Sequence, residues 1–421
     1  MNSGHNRVNI IFDPAYLNGH DGLINMTYYE ALSGCDLGVF QSYYEPWGYT
    51  PLESVAYAVP TITTDQAGFG LWVQQTAGEG DGVMLLKRKG VKINFIEENL
   101  YTLFKDFLSW SDTEMAERRK GARRLALKAN WKDFFKFYLK AYDKAIAVSL
   151  ERAEKLTLID YRVERKYVFA GAVSTQPHFR AFTAVVNLPL KIERLRELAY
   201  NLWWTWHPKA RSLYISLDPK LWQEMGNNPV RMLETISPEK LLEATENTSY
   251  MTQYTQIIQQ FDEYMNNRMP NEKVQVSPAI KWSSPIAYFS AEYGLHEIIP
   301  IYSGGLGTLS GDHLKTASDL NIPLVGIGLL YKNGYFRQVI DKNGYQVAEY
   351  PESDFSVMPV QILRDDAGNE VQIYLELPGR TLYANIWEVK IGRVSLYLIN
   401  TDVLGNTLQD RKITERLYPA D

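Results

Sequence analysis

Apolar residues in the first eighty positions come in short runs separated by helical patterns. Residues 8–12 read as a strand, 28–33 as a helix, 37–40 as a strand, 51–58 as a helix and 61–64 as a strand. Strand, helix and strand at this spacing predict parallel βαβ units with a covered sheet. Few elements precede the first strand, so the sheet is expected to begin in its middle. From residue 98 to residue 155 the period turns helical, with Trp131, Phe134, Phe135, Tyr138 and Tyr142 at i, i+3, i+4, i+7 and i+11 on one helix face. Residues 156–188 lose that period and read as a connection. Pro189 opens a second helical region, along one side of which lie Ile192, Leu195, Leu198, Leu202 and Trp206. That run ends at His207, because the residue before Pro208 is pushed out of the helical region. Past about residue 283 the pattern is α/β again, with strands at 286–291 and 323–331 around a helix at 309–320. The remaining residues alternate in period two about the turn Asp365, Asp366, Ala367, Gly368, Asn369, which predicts a β-meander. No internal repeat relates the two α/β parts.

Composition narrows the class. A chain of 421 residues, 45% hydrophobic and 22% charged, is an ordinary folded protein of two to three domains. Its 44 Lys and Arg against 49 Asp and Glu give a net charge of −5, which argues against a nucleic-acid platform. Residues 110–155 hold 12 Lys and Arg against 7 Asp and Glu, read as a solvated helix face. The single cysteine, Cys35, allows no internal disulfide and anchors no metal cluster, so no metal is expected and a reducing, cytoplasmic setting is. No signal organisation opens the chain, and no apolar run approaches the roughly 18 to 20 residues of a membrane span, so no membrane partner is expected. The triplets at Asn25 and Asn247 that resemble glycosylation acceptors are chance matches in that setting. Aromatic residues make up 13%; their flat faces suit sugar rings, although most aromatics belong to cores.

The first chemical constellation is FQSYYEPWGYTPLE, residues 40–53. A strand end is followed by a turn with Pro46 and Gly48, and a helix is expected to open with Thr50 as N-cap and Pro51 at its first position. Such a helix presents free N–H groups and its positive dipole end beyond the sheet's carboxyl edge, where open α/β sheets bind ligands. Glu45 and Glu53 flank that end and could hold hydroxyls beside an anion. The competing reading makes Glu53 a complement to the dipole and Glu45 a solvated loop acid.

Residues 7–150, centred on EPWGYTPLE, resemble the nucleotide-sugar half of the animal and fungal type of glycogen synthase, a retaining glycosyltransferase of the two-Rossmann-domain GT-B fold. The resemblance implies that Glu45 contacts the donor glucose, that Glu53 holds the ribose, and that the loop at Trp47, Gly48, Tyr49 and Thr50 cradles the diphosphate of UDP-glucose. Glu45 and Glu53 are then the catalytic candidates. It also implies that Tyr28 stacks on the uracil, with a core tyrosine as the alternative. In that family the acceptor-side domain and a basic pair for the leaving diphosphate lie upstream of the matching stretch. Negative charge developing on that phosphate needs such partners, so residues 1–150 alone are expected not to synthesise glucan.

The second constellation spans residues 288–331, where Gly304, Gly305, Leu306 and Gly307 precede a helix. Glycines let backbone N–H groups approach an anion, although a glycine-rich turn without a ligand is the plainer reading. A dinucleotide fingerprint fails on spacing. With SAEYGLHE, YSGGLGTLSGDHLKTASDL and VGIGLLYKNGYFRQ, the stretch from residue 183 onward resembles the bacterial and archaeal α-glucan phosphorylases, including their helical N-terminal extension. The resemblance implies phosphorolysis of terminal α-1,4 bonds by inorganic phosphate, releasing glucose 1-phosphate, with pyridoxal phosphate as coenzyme. Gly304, Gly305, Leu306 and Gly307 become the phosphate and glucosyl loop, Glu292 its orienter, and Asp312 and His313 packing or capping groups. The lysine that bears the coenzyme lies in the family's C-terminal domain, so no lysine of this chain is expected to carry it.

The expected class is therefore α/β: a partial GT-B, Rossmann-like nucleotide-sugar domain over residues 1–150, a linker over 151–182, a helical extension over 183–282, and the start of a second GT-B domain over 283–421. The expected function is glucosyl transfer between α-1,4-glucan and phosphate and from UDP-glucose, with neither cleft complete. The rival is a non-catalytic glucan-binding or scaffold protein, which would bind glucan without UDP or phosphate. Oligomeric assembly is left open.

Overall fold

A computed structural model of the chain describes residues 11–13, 17, 19, 24–76, 81–155, 187–267 and 280–418. The connection expected at 156–188 falls almost wholly outside the described residues, as does most of the strand expected at 8–12.

The first unit runs α1 (Tyr28–Ser33), β1 (Gly38–Val39), α2 (Tyr49–Ala56), β2 (Thr61–Thr64), α3 (Gly68–Thr76) and β3 (Val83–Leu86). Its strands form a parallel sheet in the order β1-β2-β3, with Gly38 opposite Thr61 and Thr61 opposite Val83. The central strand is buried along its whole length despite its threonines. Thr61 donates its hydroxyl proton within reach of Ser54 Oγ at 2.7 Å and the Val59 carbonyl at 2.9 Å, so burial leaves it satisfied. The helical region expected over residues 98–155 is made of three helices: α4 (Ile93–Leu108), α5 (Asp112–Lys128) and α6 (Trp131–Lys155). Capping chemistry divides them. Ser111 opens α5 with a capping box to Glu114, and the Asn130 side chain accepts from the Lys132 amide at the start of α6. Ala122 and Leu125 of α5 bury against Val55 of α2 and Phe69 and Val73 of α3, forming the core of this unit.

The second unit opens with six helices: α7 (Leu195–Tyr200), α8 (Pro208–Leu217), α9 (Pro219–Glu224), α10 (Pro229–Thr235), α11 (Pro238–Glu246) and α12 (Thr248–Asn266). Proline stands first in α8, α9, α10 and α11, where its missing N–H costs nothing; Asp218, Asn228 and Ser237 cap the last three of these from the preceding position. There follow β4 (Ile286–Phe289), α13 (Gly305–Asp319), β5 (Leu324–Leu329), the hairpin β6 (Arg337–Ile340) and β7 (Gln346–Glu349), then β8 (Gln361–Ile362), β9 (Gln372–Leu377), β10 (Arg380–Ile391), β11 (Val394–Asn400) and α14 (Leu408–Arg411).

The expected meander does not stand apart. β11 pairs antiparallel with β10 and also parallel with β5, giving one mixed sheet β4-β5-β11-β10-β8 with β9 on β10. A buried strand such as β5 must satisfy ladder groups on both edges, and β11 supplies the second edge. Helices and sheet are tied at one turn, where the Asn201 side chain accepts from the Gly392 amide at 2.8 Å and donates to its carbonyl at 3.1 Å.

The two units meet along α6. Neighbouring residues on a helix point about 100° apart, and here they serve different cores. Phe134 packs edge-on against Trp47 and Trp72 of the first unit at 5.5 and 5.9 Å, whereas Phe135 is only 1% exposed and belongs to the core of the second. Trp131, Tyr138 and Tyr142 pack on that second core as well. Phe135→Ala is expected to destabilise the second core by about 3–5 kcal/mol. Urea unfolding read at near-ultraviolet wavelengths checks this; an unchanged midpoint would show that α6 is not anchored there.

Candidate active site

The loop from β1 to α2 ends at Gly48, whose φ of +101° lies in the left-handed region. Gly48, not Thr50, is the N-cap, and α2 begins at Tyr49. The expected cap is thus corrected: glycine makes the left-handed entry that threonine would resist, and no side chain accepts from the first turn of the helix. Those amides stay free at the carboxyl end of the parallel sheet. The loop is strapped down from the other side by the Gly68 amide donating to Glu45 O at 3.0 Å and the Phe69 amide to Trp47 O at 2.7 Å. A Cβ on Gly68 would lie 2.2 Å from the Pro46 carbonyl, so only glycine allows that approach. Trp47 turns its ring into the aromatic cluster with Phe69, Trp72 and Phe134, where it seats the loop. Glu45 is half-buried and Thr50 exposed.

Glu53, one turn into α2, accepts from the Tyr29 hydroxyl at 3.0 Å. Burial raises its carboxyl above the usual glutamate range; the Tyr29 hydrogen bond opposes the shift and the nearby Asp312 adds to it. Tyr29 stacks on Tyr57 at 4.9 Å, and Tyr28 meets Tyr29 edge-on at 5.2 Å. Tyr29 went unnoticed in the sequence, where nothing in the spacing of a tyrosine pair tells which ring faces the acid.

The second cluster is organised by Glu292, 2% exposed. One of its carboxylate oxygens accepts from the Ser303 and Gly304 amides at 2.7 and 3.4 Å, and the other from the Tyr418 hydroxyl at 2.7 Å. The helix expected from residue 309 starts at Gly305, so Gly305, Leu306 and Gly307 form the first turn of α13 and are not a loop ahead of it. A Cβ on Gly307 would stand 2.4 Å from Tyr302 Cβ and 2.9 Å from Glu292 Oε2, which is why the turn can lie so close to the acid. Gly304, Gly305 and Leu306 are exposed, and no side chain caps α13.

The structure brings the two clusters together. A Cβ built on Gly305 would lie 3.9 Å from both Glu45 Oε1 and Tyr49 Cδ2. Asp312, on the helix that Gly305 opens, accepts from Trp131 Nε1 at 3.2 Å, and burial raises its carboxyl above the usual aspartate range. Two uncapped helix N-termini and the carboxylates Glu45, Glu53 and Asp312 thus share one region. Residues 40–53 and 302–313 hold no Lys or Arg, so these segments offer an anion only backbone amides.

Beneath them, His313 is fully buried among Tyr138, Tyr288 and Phe135 at 4.3, 4.5 and 5.3 Å, with its Nε2 2.5 Å from the Tyr142 hydroxyl. Burial pushes its pKa down to about 4. Unfolded His313 titrates near 6.5. The unfolded chain therefore takes up a proton that the folded one refuses, and stability is lost as pH falls from about 6.5 toward 4. In His313→Phe the dependence of unfolding free energy on pH across that window should shrink by about one proton, or about 1.4 kcal/mol per pH unit. Urea titrations at several pH values test this, His296 continuing to contribute because it too is held down to about 4. Equal slopes in the two proteins would count against a neutral, buried His313.

Among the described residues no group of three or more His, Cys, Asp or Glu could hold a metal ion, and no helix is long and apolar enough to cross a membrane.

Comparison with known proteins follows the same division. The family model described as glycogen synthase matches residues 1–190, and that described as a protein of unknown function (DUF3417) matches residues 188–299. Over 235 residues, 56% of this chain, it is 44% identical to the maltodextrin phosphorylase of Thermococcus litoralis, of which it covers 28%. It is 36% identical over 245 residues to the glycogen phosphorylase of Mycobacterium tuberculosis, again covering 28% of that protein. Over 150 residues, 35% of this chain, it is 34% identical to the glycogen [starch] synthase isoform 2 of Saccharomyces cerevisiae, covering 21% of it. The chain thus spans less than a third of the length of each of these relatives. It joins a segment similar to glycogen synthases to a segment similar to phosphorylases.

Proposed function

We propose that the chain serves glucosyl transfer on α-1,4-glucan: residues 1–150 as the UDP-glucose side of a GT-B glycosyltransferase, and residues 183–421 as a helical extension and first domain of an α-glucan phosphorylase working with inorganic phosphate and glucose 1-phosphate. The observation that carries the first reading is the uncapped N-terminus of α2 at the carboxyl edge of the sheet, flanked by Glu45 and Glu53. Free amides suit a diphosphate. Glu53, already hydrogen-bonded to one hydroxyl, suits the ribose, and Glu45 suits the donor sugar. Tyr28 is the candidate for the uracil face. On the phosphorylase side, Glu292 holds the amides of Ser303 and Gly304 and so fixes the direction of the Gly305 turn toward a phosphate or glucosyl group. A cytoplasmic setting belongs to the same reading.

Pyridoxal phosphate, which the phosphorylase likeness implies, does not fit the lysines described. The most enclosed candidate, Lys315, donates its ammonium to the Leu295 carbonyl at 2.7 Å and lies 5.7 Å from the Trp206 ring. No lysine among the described residues is fully buried.

Isothermal titration with UDP tests the donor reading. The chain is expected to bind UDP, and Glu53→Gln is expected to weaken binding about tenfold, equivalent to about 1.4 kcal/mol. Undiminished affinity in that variant would remove Glu53 from the site.

A further inference from the structure

We propose that Tyr29 is a positioning residue for Glu53: its hydroxyl holds one carboxylate oxygen and so presents the other to the ribose hydroxyls of a bound nucleotide. The identity of the nucleotide rests on the donor reading above; the hold on the carboxylate rests on contacts within the first unit.

Tyr57 is the C-cap of α2, four residues after Glu53, so the two side chains share one face of that helix. Tyr29 meets both. Its ring lies 4.9 Å from that of Tyr57 with the planes tilted by 7°, and its hydroxyl donates to Glu53 Oε1 at 3.0 Å. The ring contact fixes where the phenol points, and the hydrogen bond then leaves Oε2 for a ligand. The helix that carries Tyr29 is braced at both ends. At its start Thr27 and Glu30 close a capping box, and toward its end Leu32 is buried. Just past that end, one guanidinium ties α1 to α2. Arg119 of α5 donates to the Cys35 carbonyl at 3.3 Å and to Asp36 at 2.8 Å, and also to the Ala58 carbonyl at 3.4 Å. Arg123 adds a bond to the Ala56 carbonyl at 3.3 Å. The phenol therefore reaches Glu53 from a fixed platform. A glutamate side chain left to itself samples several rotamers, and ordering it on binding costs affinity. With Tyr29 in place the ordering precedes the ligand. Burial favours the neutral acid at this position, and the Tyr29 hydrogen bond opposes it, keeping Glu53 an acceptor for hydroxyl groups.

Tyr29→Phe keeps the ring on Tyr57 and removes only the hydroxyl, so it separates positioning from packing. Isothermal titration of the full chain with UDP and with 2′,3′-dideoxy-UDP, which lacks the ribose hydroxyls, reads the effect. In Tyr29→Phe, affinity for UDP is expected to fall about five- to tenfold and affinity for the dideoxy nucleotide to stay within about twofold of the parent. The Tyr29→Phe/Glu53→Gln double variant should bind UDP no more weakly than the worse of the two single variants. Loss of UDP affinity on acidification should also set in at higher pH in Tyr29→Phe, whose Glu53 takes up its proton more readily; Tyr28 and Asp312, titratable groups that also act on the pair, are the same in both proteins. Unchanged UDP affinity, equal losses for both nucleotides, additive losses in the double variant or an unmoved pH profile would overturn the proposal. If the parent chain binds no UDP, the donor reading fails, and carbon NMR titration of the Glu53 carboxyl in the nucleotide-free chain decides the hold, its signal assigned by its loss in Glu53→Gln. The midpoint should rise in Tyr29→Phe; an unchanged midpoint would overturn it.

Discussion

The docking of α6 is the contact on which the rest of the structure depends. A 25-residue helix whose adjacent phenylalanines enter two different cores turns a pair of partial α/β units into one packed molecule. Phe135 in the second core and Phe134 against Trp47 help to hold the loop of Glu45 beside the turn of Gly305. The energetic weight of that helix is apolar, since a buried aromatic side chain contributes several kcal/mol. Asp312 and His313 add direction to it: one accepts from Trp131, the other meets Tyr142.

Close backbone approach is the second constraint. Gly68, Gly307 and Gly311 each stand where a Cβ would meet an atom closer than 2.5 Å, and all three support the candidate site. They let the Pro46 carbonyl, the Glu292 carboxylate and the Gly294 carbonyl lie against neighbouring chain, and so allow two helices to end in free amides without a side chain filling the space. The site is organised by what is missing from these residues as much as by its carboxylates.

Much of the fold was legible in the sequence because its signals are local. The helix at 28–33 and the strand at 61–64 stand where periodicity places them, and the turn at Asp365 closes on itself as its composition predicts. Boundaries set by capping were less legible. A Thr-Pro pair outweighed Gly48 on paper, but a left-handed residue can end a loop without any side-chain acceptor. The pairing of β11 with β5 is a contact between strands far apart in sequence, which a period of two cannot specify. The carboxylates of the site were visible as a motif. Tyr29 was not, and neither was the approach of Gly305 to Glu45 and Tyr49, because both depend on how helices rotate once the units are packed.

Cys35 follows α1, the helix that carries Tyr29, and its thiol is exposed. As the single cysteine of the chain, it can take one maleimide fluorophore without any residue being added or removed. The dye would sit a few residues from the tyrosine that contacts Glu53, which makes the unaltered sequence its own optical reporter for events at that carboxylate.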